Sequence, residues 1–188
     1  MSQFEFLFSL FGLVLGLSLA EIFGGFARTV QARQKIRLGW LTPLLGLLII
    51  VDLLSFWSRA WEMRDALAVD FNLMVFITLP AGIYYVAAYL VFPHEYGEWP
   101  DLDDYFMQHK WQVIGAAMVV NLLVIGGRAA HAGVNPYTDP AFFIINFLFI
   151  ATAVGIIFAK RKWLAGALLV VMLSLYWVPG VILGWLGR

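Results

Sequence analysis

The 188-residue chain contains no cysteine. Disulfides, thiolate metal sites and cysteine nucleophiles are therefore excluded together. Charge is scarce as well. Aspartate, glutamate, lysine and arginine make up 13% of the residues, about half of the roughly 25% usual in soluble domains. The charges balance to zero and the basic residues are scattered, so there is no electrostatic footprint for nucleic acid. Catalytic signatures are missing too. The sequence holds neither H-E-x-x-H nor G-x-S-x-G, nor a glycine-rich phosphate loop. Its three histidines form no opposed pair within apolar segments that could hold a haem. No cofactor and no metal are expected.

What is present is apolar: 62% hydrophobic and 16% aromatic residues, with a mean hydropathy of +0.85. A soluble fold of this make-up would expose large apolar patches. The expectation is an all-α integral membrane protein forming one transmembrane domain over residues 1–188. Crossing the hydrocarbon takes about 20 predominantly apolar residues in a helix. Six stretches qualify: Phe4–Phe26, Trp40–Trp57, Phe71–Phe92, Trp111–Gly127, Ala141–Ala159 and Trp163–Trp185. The first lacks a basic n-region and an A-x-A-type cleavage site, so it reads as a retained transmembrane helix rather than a signal peptide.

Basic residues set the expected orientation. The odd-numbered connections hold Arg28, Arg33, Lys35, Arg37, Lys110, Lys160, Arg161 and Lys162; the other side holds Arg59, Arg64, Arg128 and Arg188. Eight against four places the odd loops in the cytoplasm and both termini outside, in a plasma (inner) membrane. Trp40, Trp111 and Trp163 each follow closely on a basic residue, as expected of indole rings anchoring helices at headgroup level.

Sliding the chain by 69 residues superimposes Gly46 on Gly115, Val51 on Val120, Leu53 and Leu54 on Leu122 and Leu123, and Arg59 on Arg128. Asp52 then falls on Asn121. A fainter echo at an offset of 120 brings Gly166, Val171 and Leu173 onto Gly46, Val51 and Leu53, with Met172 in the place of the acid. Three helical hairpins, the first two related as parallel repeats, would produce this pattern; so would the shared composition of Leu/Val-rich helices.

Asp52 and Asn121 lie twelve and ten residues past Trp40 and Trp111, about 18 Å and 15 Å into the membrane at 1.5 Å per residue. A charged side chain at a helix centre costs about 2.5–3.5 kcal/mol, so the carboxylate needs partners. Helical spacing puts Asp52, Ser55 and Arg59 on one face and Asn121 and Arg128 on another. A contact between neighbouring helices, such as Arg128 with Asp52, is easier than one along a helix. Glu21, seven residues before Arg28, is either a second titrating group or that arginine's partner. These residues line a polar pathway on one reading and form a buried structural network on the other.

Gly12, Gly16, Ala20 and Gly24 make a ladder of small residues suited to close helix packing, within the chain or with a second copy. Gly180 and Gly184 repeat it on a smaller scale. Pro80 and Pro179 are expected to kink their helices, whereas Pro43 lies near a helix start. The segment 93–110 is an acidic cytoplasmic loop leading into the fourth helix. Asp101 after Pro100 reads as its N-cap, with Asp103 and Asp104 as solvated acids matching the helix dipole.

The function expected from these features is channel- or transporter-like: an ion, proton or small polar solute moving along a buried polar stripe, in a lipid-embedded, self-associating protein. A non-transporting scaffold or accessory subunit of a larger membrane complex is the alternative. An enzyme acting on lipid or quinone is disfavoured by the missing catalytic constellations.

Overall fold

The computed structural model of the chain describes residues 3–62, 71–132 and 140–177. Six α-helices run through them: α1 Gln3–Ala32, α2 Leu41–Glu62, α3 Phe71–Val91, α4 Leu102–Ala132, α5 Pro140–Phe158 and α6 Lys162–Ser174. A 3-10 turn, Tyr96–Glu98, interrupts the connection before α4. Among the described residues there is no strand, only an isolated bridge between Arg37 and Asp101. Four segments are long and apolar enough to cross a membrane: Leu7–Ala32, Leu41–Trp61, Leu73–Val91 and Leu102–Gly127. The apolar parts of α5 and α6, Phe142–Phe158 and Lys162–Ser174, are shorter. This is the make-up of a helical membrane protein. The expected end of the last span, with Pro179, Gly180, Gly184 and Trp185, and Arg64 in the second connection lie outside the described residues.

Local chemistry accounts for the helix starts. Pro43 falls in the first turn of α2 and Pro140 opens α5, positions where no intrahelical N–H bond is required. Asp101 caps α4, its Oδ1 accepting the Asp103 N–H at 2.8 Å. Pro80 sits inside α3, which continues through it to Val91.

Helix α2 occupies the middle. It touches α1, α3, α4 and α6, while α1 lies chiefly along α3, and α3–α4, α4–α5 and α5–α6 complete the surround. The core is leucine, isoleucine, alanine and aromatic side chains from all six helices. Large apolar residues also cover the outside: Leu13 is 63% exposed, Phe147 70% and Phe158 77%. In water such a surface would aggregate. Against acyl chains it is the expected exterior.

The odd-numbered connections meet at one end, and there the bundle is stitched together. The Arg37 N–H donates to the Pro100 carbonyl and the Leu102 N–H to the Arg37 carbonyl. Asp103 is buried rather than solvated. Its Oδ1 accepts the N–H groups of Trp40 (3.0 Å) and Leu41 (2.9 Å), so α4 caps α2 across the helix boundary. Gly39 makes this possible: its φ is +58°, and a Cβ there would collide with the Asp103 carboxylate. Thr42 adds a 2.7 Å bond to the Leu102 carbonyl. Lys162 reaches both Asp101 (3.2 Å) and Asp104 (2.8 Å). Lys110 is no loop cation. It lies buried in α4 and donates to the Ala159 carbonyl at the C-terminal end of α5, where a cation complements the helix dipole. Of the acids expected to be solvated, Asp104 alone is exposed.

The small-residue ladder is used unevenly. Gly12 lies against Trp57, but a Cβ on Gly16 would meet nothing within 4 Å and Ala20 is exposed. Other glycines that admit close approach are Gly25 against Phe92, Gly46 against Phe26 and Phe92, and Gly166 under the Trp40 ring.

Candidate functional site

Halfway along α2, the run LLIIVDLLSF inserts one carboxylate among aliphatic residues. Asp52 is 1% exposed. An unpartnered acid could not be kept there, and the surrounding helices supply the partners. The Asn121 amide of α4 points one N–H between the two carboxylate oxygens, Nδ2 lying 3.2 Å from each. Its other N–H is directed to the Ala117 carbonyl at 3.0 Å, so both amide hydrogens are used. The Tyr176 hydroxyl, in the turn that follows α6, donates to Asp52 Oδ1 at 2.6 Å, the shortest contact of the group. The Tyr84 hydroxyl of α3 interacts with the same carboxylate, and Arg59 adds electrostatic attraction from α2 itself.

Rings hold the two tyrosines. Phe149 of α5 packs edge-on against Tyr176 at 6.0 Å, and Phe56 of α2 tilts against Tyr84 at 5.5 Å. Helices α2, α3 and α4 and the turn after α6 thus converge on one carboxylate.

Below this polar layer, toward the odd-loop end, each contributing helix presents an apolar stack on the same face. On α2 these are Ile49, Leu48 and Leu45; on α4 Ala117, Ile114 and Val113; on α6 Met172 and Leu169; on α3 Ala87, Ala88 and Val91. None of them is more than 2% exposed. Residues three, four and seven positions apart share a helical face, so the stacks follow from the sequence once the polar residue is fixed. On the other side the α2 face continues through Phe56 to Arg59, both half-buried. The carboxylate is sealed on one side and approached by a cation on the other.

The remaining sequence candidates fall as follows. Asp52 and Asn121, equivalent under the 69-residue offset, are in direct contact. Ser55 shares the face of Asp52, but its hydroxyl bonds the Asp52 backbone carbonyl at 2.8 Å and not the carboxylate. Arg128 belongs to the α4 backbone, and its side chain lies outside the described residues. Glu21 is remote from this cluster and forms a 2.8 Å ion pair with Arg28. Tyr84 and Tyr176 were not singled out by sequence, since tyrosine passes for an apolar residue in a hydropathy pattern. A mid-span hydroxyl that must find a partner is the signal that points to them. Among the described residues no three His, Asp or Glu side chains are grouped to hold a metal ion. No family model matches the chain, and no curated protein or solved structure matches it.

Proposed function

We propose that the chain is a channel- or transporter-like membrane protein in which Asp52 binds and releases a proton or small cation. The proposal takes six spans, with the odd-numbered loops cytoplasmic, the termini periplasmic and the first two hairpins related by duplication. Self-association through the outward Gly16–Ala20 face of α1 belongs to the same reading. The observation that carries it is the buried Asp52 carboxylate held by Asn121 and Tyr176. A carboxylate at that depth costs more than the surrounding aliphatic residues return individually, and its donors come from α4 and from the turn after α6. The apolar stacks close the cytoplasmic side, so access runs past Arg59 from the periplasmic side, and a cycle would open the stacks in turn. Asn121 and Tyr84 would line the site; Arg59 and Arg128 would stand at its mouth. Glu21, neutralised by Arg28, contributes to the α1 packing face rather than to the route.

Reconstitution in liposomes tests this. Proton or monovalent-cation flux under an imposed gradient is expected from the native chain and should fall at least tenfold in Asp52→Asn, with Ser55→Ala unchanged. The alternative reading, a non-transporting scaffold or accessory subunit, is favoured by the stitched odd-loop end, which ties three connections into one rigid face. Absence of flux under any gradient in an otherwise well-folded bundle would select it.

A further inference from the structure

Where α3 leaves the bundle at the odd-loop end, a cavity of about 460 Å³ opens between the end of α3, the 3-10 turn and the start of α4. Four aromatic residues line it: Tyr89, Phe92, Trp99 and Tyr105. Trp99 and Tyr105 stand nearly perpendicular, centroids 5.1 Å apart at 80°, and so form two walls of a corner. The corner is built rather than incidental. The Tyr105 hydroxyl is anchored to the Leu90 carbonyl at 3.0 Å, and His109 stacks on its ring at 4.2 Å. Tyr89 is fixed in turn by the His94 ring at 4.2 Å. Glu95, Glu98 and His94 also line it, and among the described residues no lysine or arginine contributes. Both glutamates are exposed, so their carboxylates are accessible to an incoming ligand.

Ring faces carry negative potential and attract cations, most strongly at tryptophan. An aromatic corner beside two carboxylates, with no lysine or arginine among the lining residues, suits one chemical class. We infer that this cavity binds an alkylated ammonium group. Its position suits either of two sources. The mouth lies at the last turn of α3, where the chain leaves its apolar span, the level of the lipid headgroups; a free alkylammonium could also enter from the aqueous side. The site is separate from Asp52 and does not depend on what Asp52 does.

The test uses the full chain in micelles of an uncharged detergent, with tetramethylammonium as the probe and its methyl resonance followed by NMR at constant ionic strength. Saturable line broadening is expected with the native chain. Trp99→Leu should weaken it roughly three- to thirtyfold, the span of a cation–π contact. Glu95→Gln with Glu98→Gln, two exposed positions that do not bear on folding, should weaken it by at least threefold, and Trp111→Leu should leave it unchanged. Repeating the titration in nanodiscs distinguishes the sources. Weaker probe binding in phosphatidylcholine or phosphatidylethanolamine than in phosphatidylglycerol identifies a headgroup ammonium as the resident ligand; equal binding identifies a free one. Non-saturable broadening in the native chain, or equal affinity in the glutamate double variant, overturns the inference.

Discussion

The contact between Asp52 and Asn121 can be measured as a coupling energy. Asn121→Leu preserves volume approximately and removes the N–H shared between the two carboxylate oxygens. Two features of the geometry set the magnitude. Both distances are 3.2 Å, at the long end for N–H···O bonds, and Tyr176 at 2.6 Å remains to hold the acid. Removing a donor from a buried carboxylate costs about 1–3 kcal/mol. Interhelical polar contacts in membranes average only about 0.6 kcal/mol, with a maximum of about 1.7. The expected cost of Asn121→Leu is therefore about 1–2 kcal/mol.

Asp52→Leu alone strands the Asn121 amide and two tyrosine hydroxyls. The double variant strands only the hydroxyls, which are common to both Asp52→Leu corners and cancel in a double-mutant cycle. Unfolding in mixed micelles, followed by helicity or by steric trapping, should give a favourable coupling of about 1 kcal/mol. Ser55 is the internal control, because it shares the face of Asp52 but bonds only the backbone carbonyl; Ser55→Ala should couple to Asp52→Leu by less than about 0.3 kcal/mol, the scatter of independent sites. Strict additivity of Asp52→Leu and Asn121→Leu would refute the geometry on which the site rests.

Further outcomes follow from the odd-loop end and the glycines. Asp103→Ala removes two charge-assisted bonds that cap α2 and should destabilise by about 2–3 kcal/mol. Gly39→Ala should destabilise by at least about 1–2 kcal/mol through its left-handed φ alone; the same unfolding assay reads both. Gly25→Ala drives a methyl into the Phe92 ring and should cost about 1–3 kcal/mol, whereas Gly16→Ala, in open space, should leave monomer stability unchanged; a bulkier Gly16→Ile should reduce any dimer seen by analytical ultracentrifugation. Partial burial pushes the Asp101 carboxyl up, but the Asp103 N–H, Lys162 and Arg37 outweigh it and hold it below its ordinary value. A depressed folded-state pKa stabilises above the unfolded-state value and is lost as pH falls through the folded one, so acid titration of stability should show a component below the ordinary aspartate range that disappears in Asp101→Asn.

The sequence made some of this legible and concealed the rest for physical reasons. A lone acid or amide inside an aliphatic run is conspicuous because lipid offers it nothing, and that marked Asp52 and Asn121. The 69-residue offset paired them in the alignment, but Arg128 looked the more natural partner for a carboxylate. Rise along α4 decides otherwise, since Asn121 is the residue level with Asp52 when α2 and α4 pack side by side. Ser55 misled because helical spacing fixes the face of a side chain but not its hydrogen bond, and a serine hydroxyl can return to its own backbone. Asp103 could not be read as a cap for α2, because the helix it serves begins 62 residues earlier and reaches it only through packing. The glycine ladder showed the same limit. Spacing of four residues identifies a smooth stripe on α1, but the glycines that matter in this chain are those facing Phe92, Trp57 and Trp40, and their usefulness is set by aromatic residues on other helices.

The distribution of polar bonds along the bundle also constrains how it could move. At the odd-loop end α4 caps α2, Thr42 bonds the Leu102 carbonyl, Lys110 bonds the end of α5, and Lys162 bridges to Asp101 and Asp104. Each of these ties different helices together, and several are buried, where breaking them leaves unsatisfied groups. Above that end come the apolar stacks, which resist separation only through packing, since lipid tails are as apolar as leucine. Then comes the polar layer at Asp52, whose donors arrive from α4 and from the turn after α6. Separating the helices at the Asp52 layer breaks the hydrogen bonds around one carboxylate, whereas separating them at the odd-loop end disrupts a network that joins several helices.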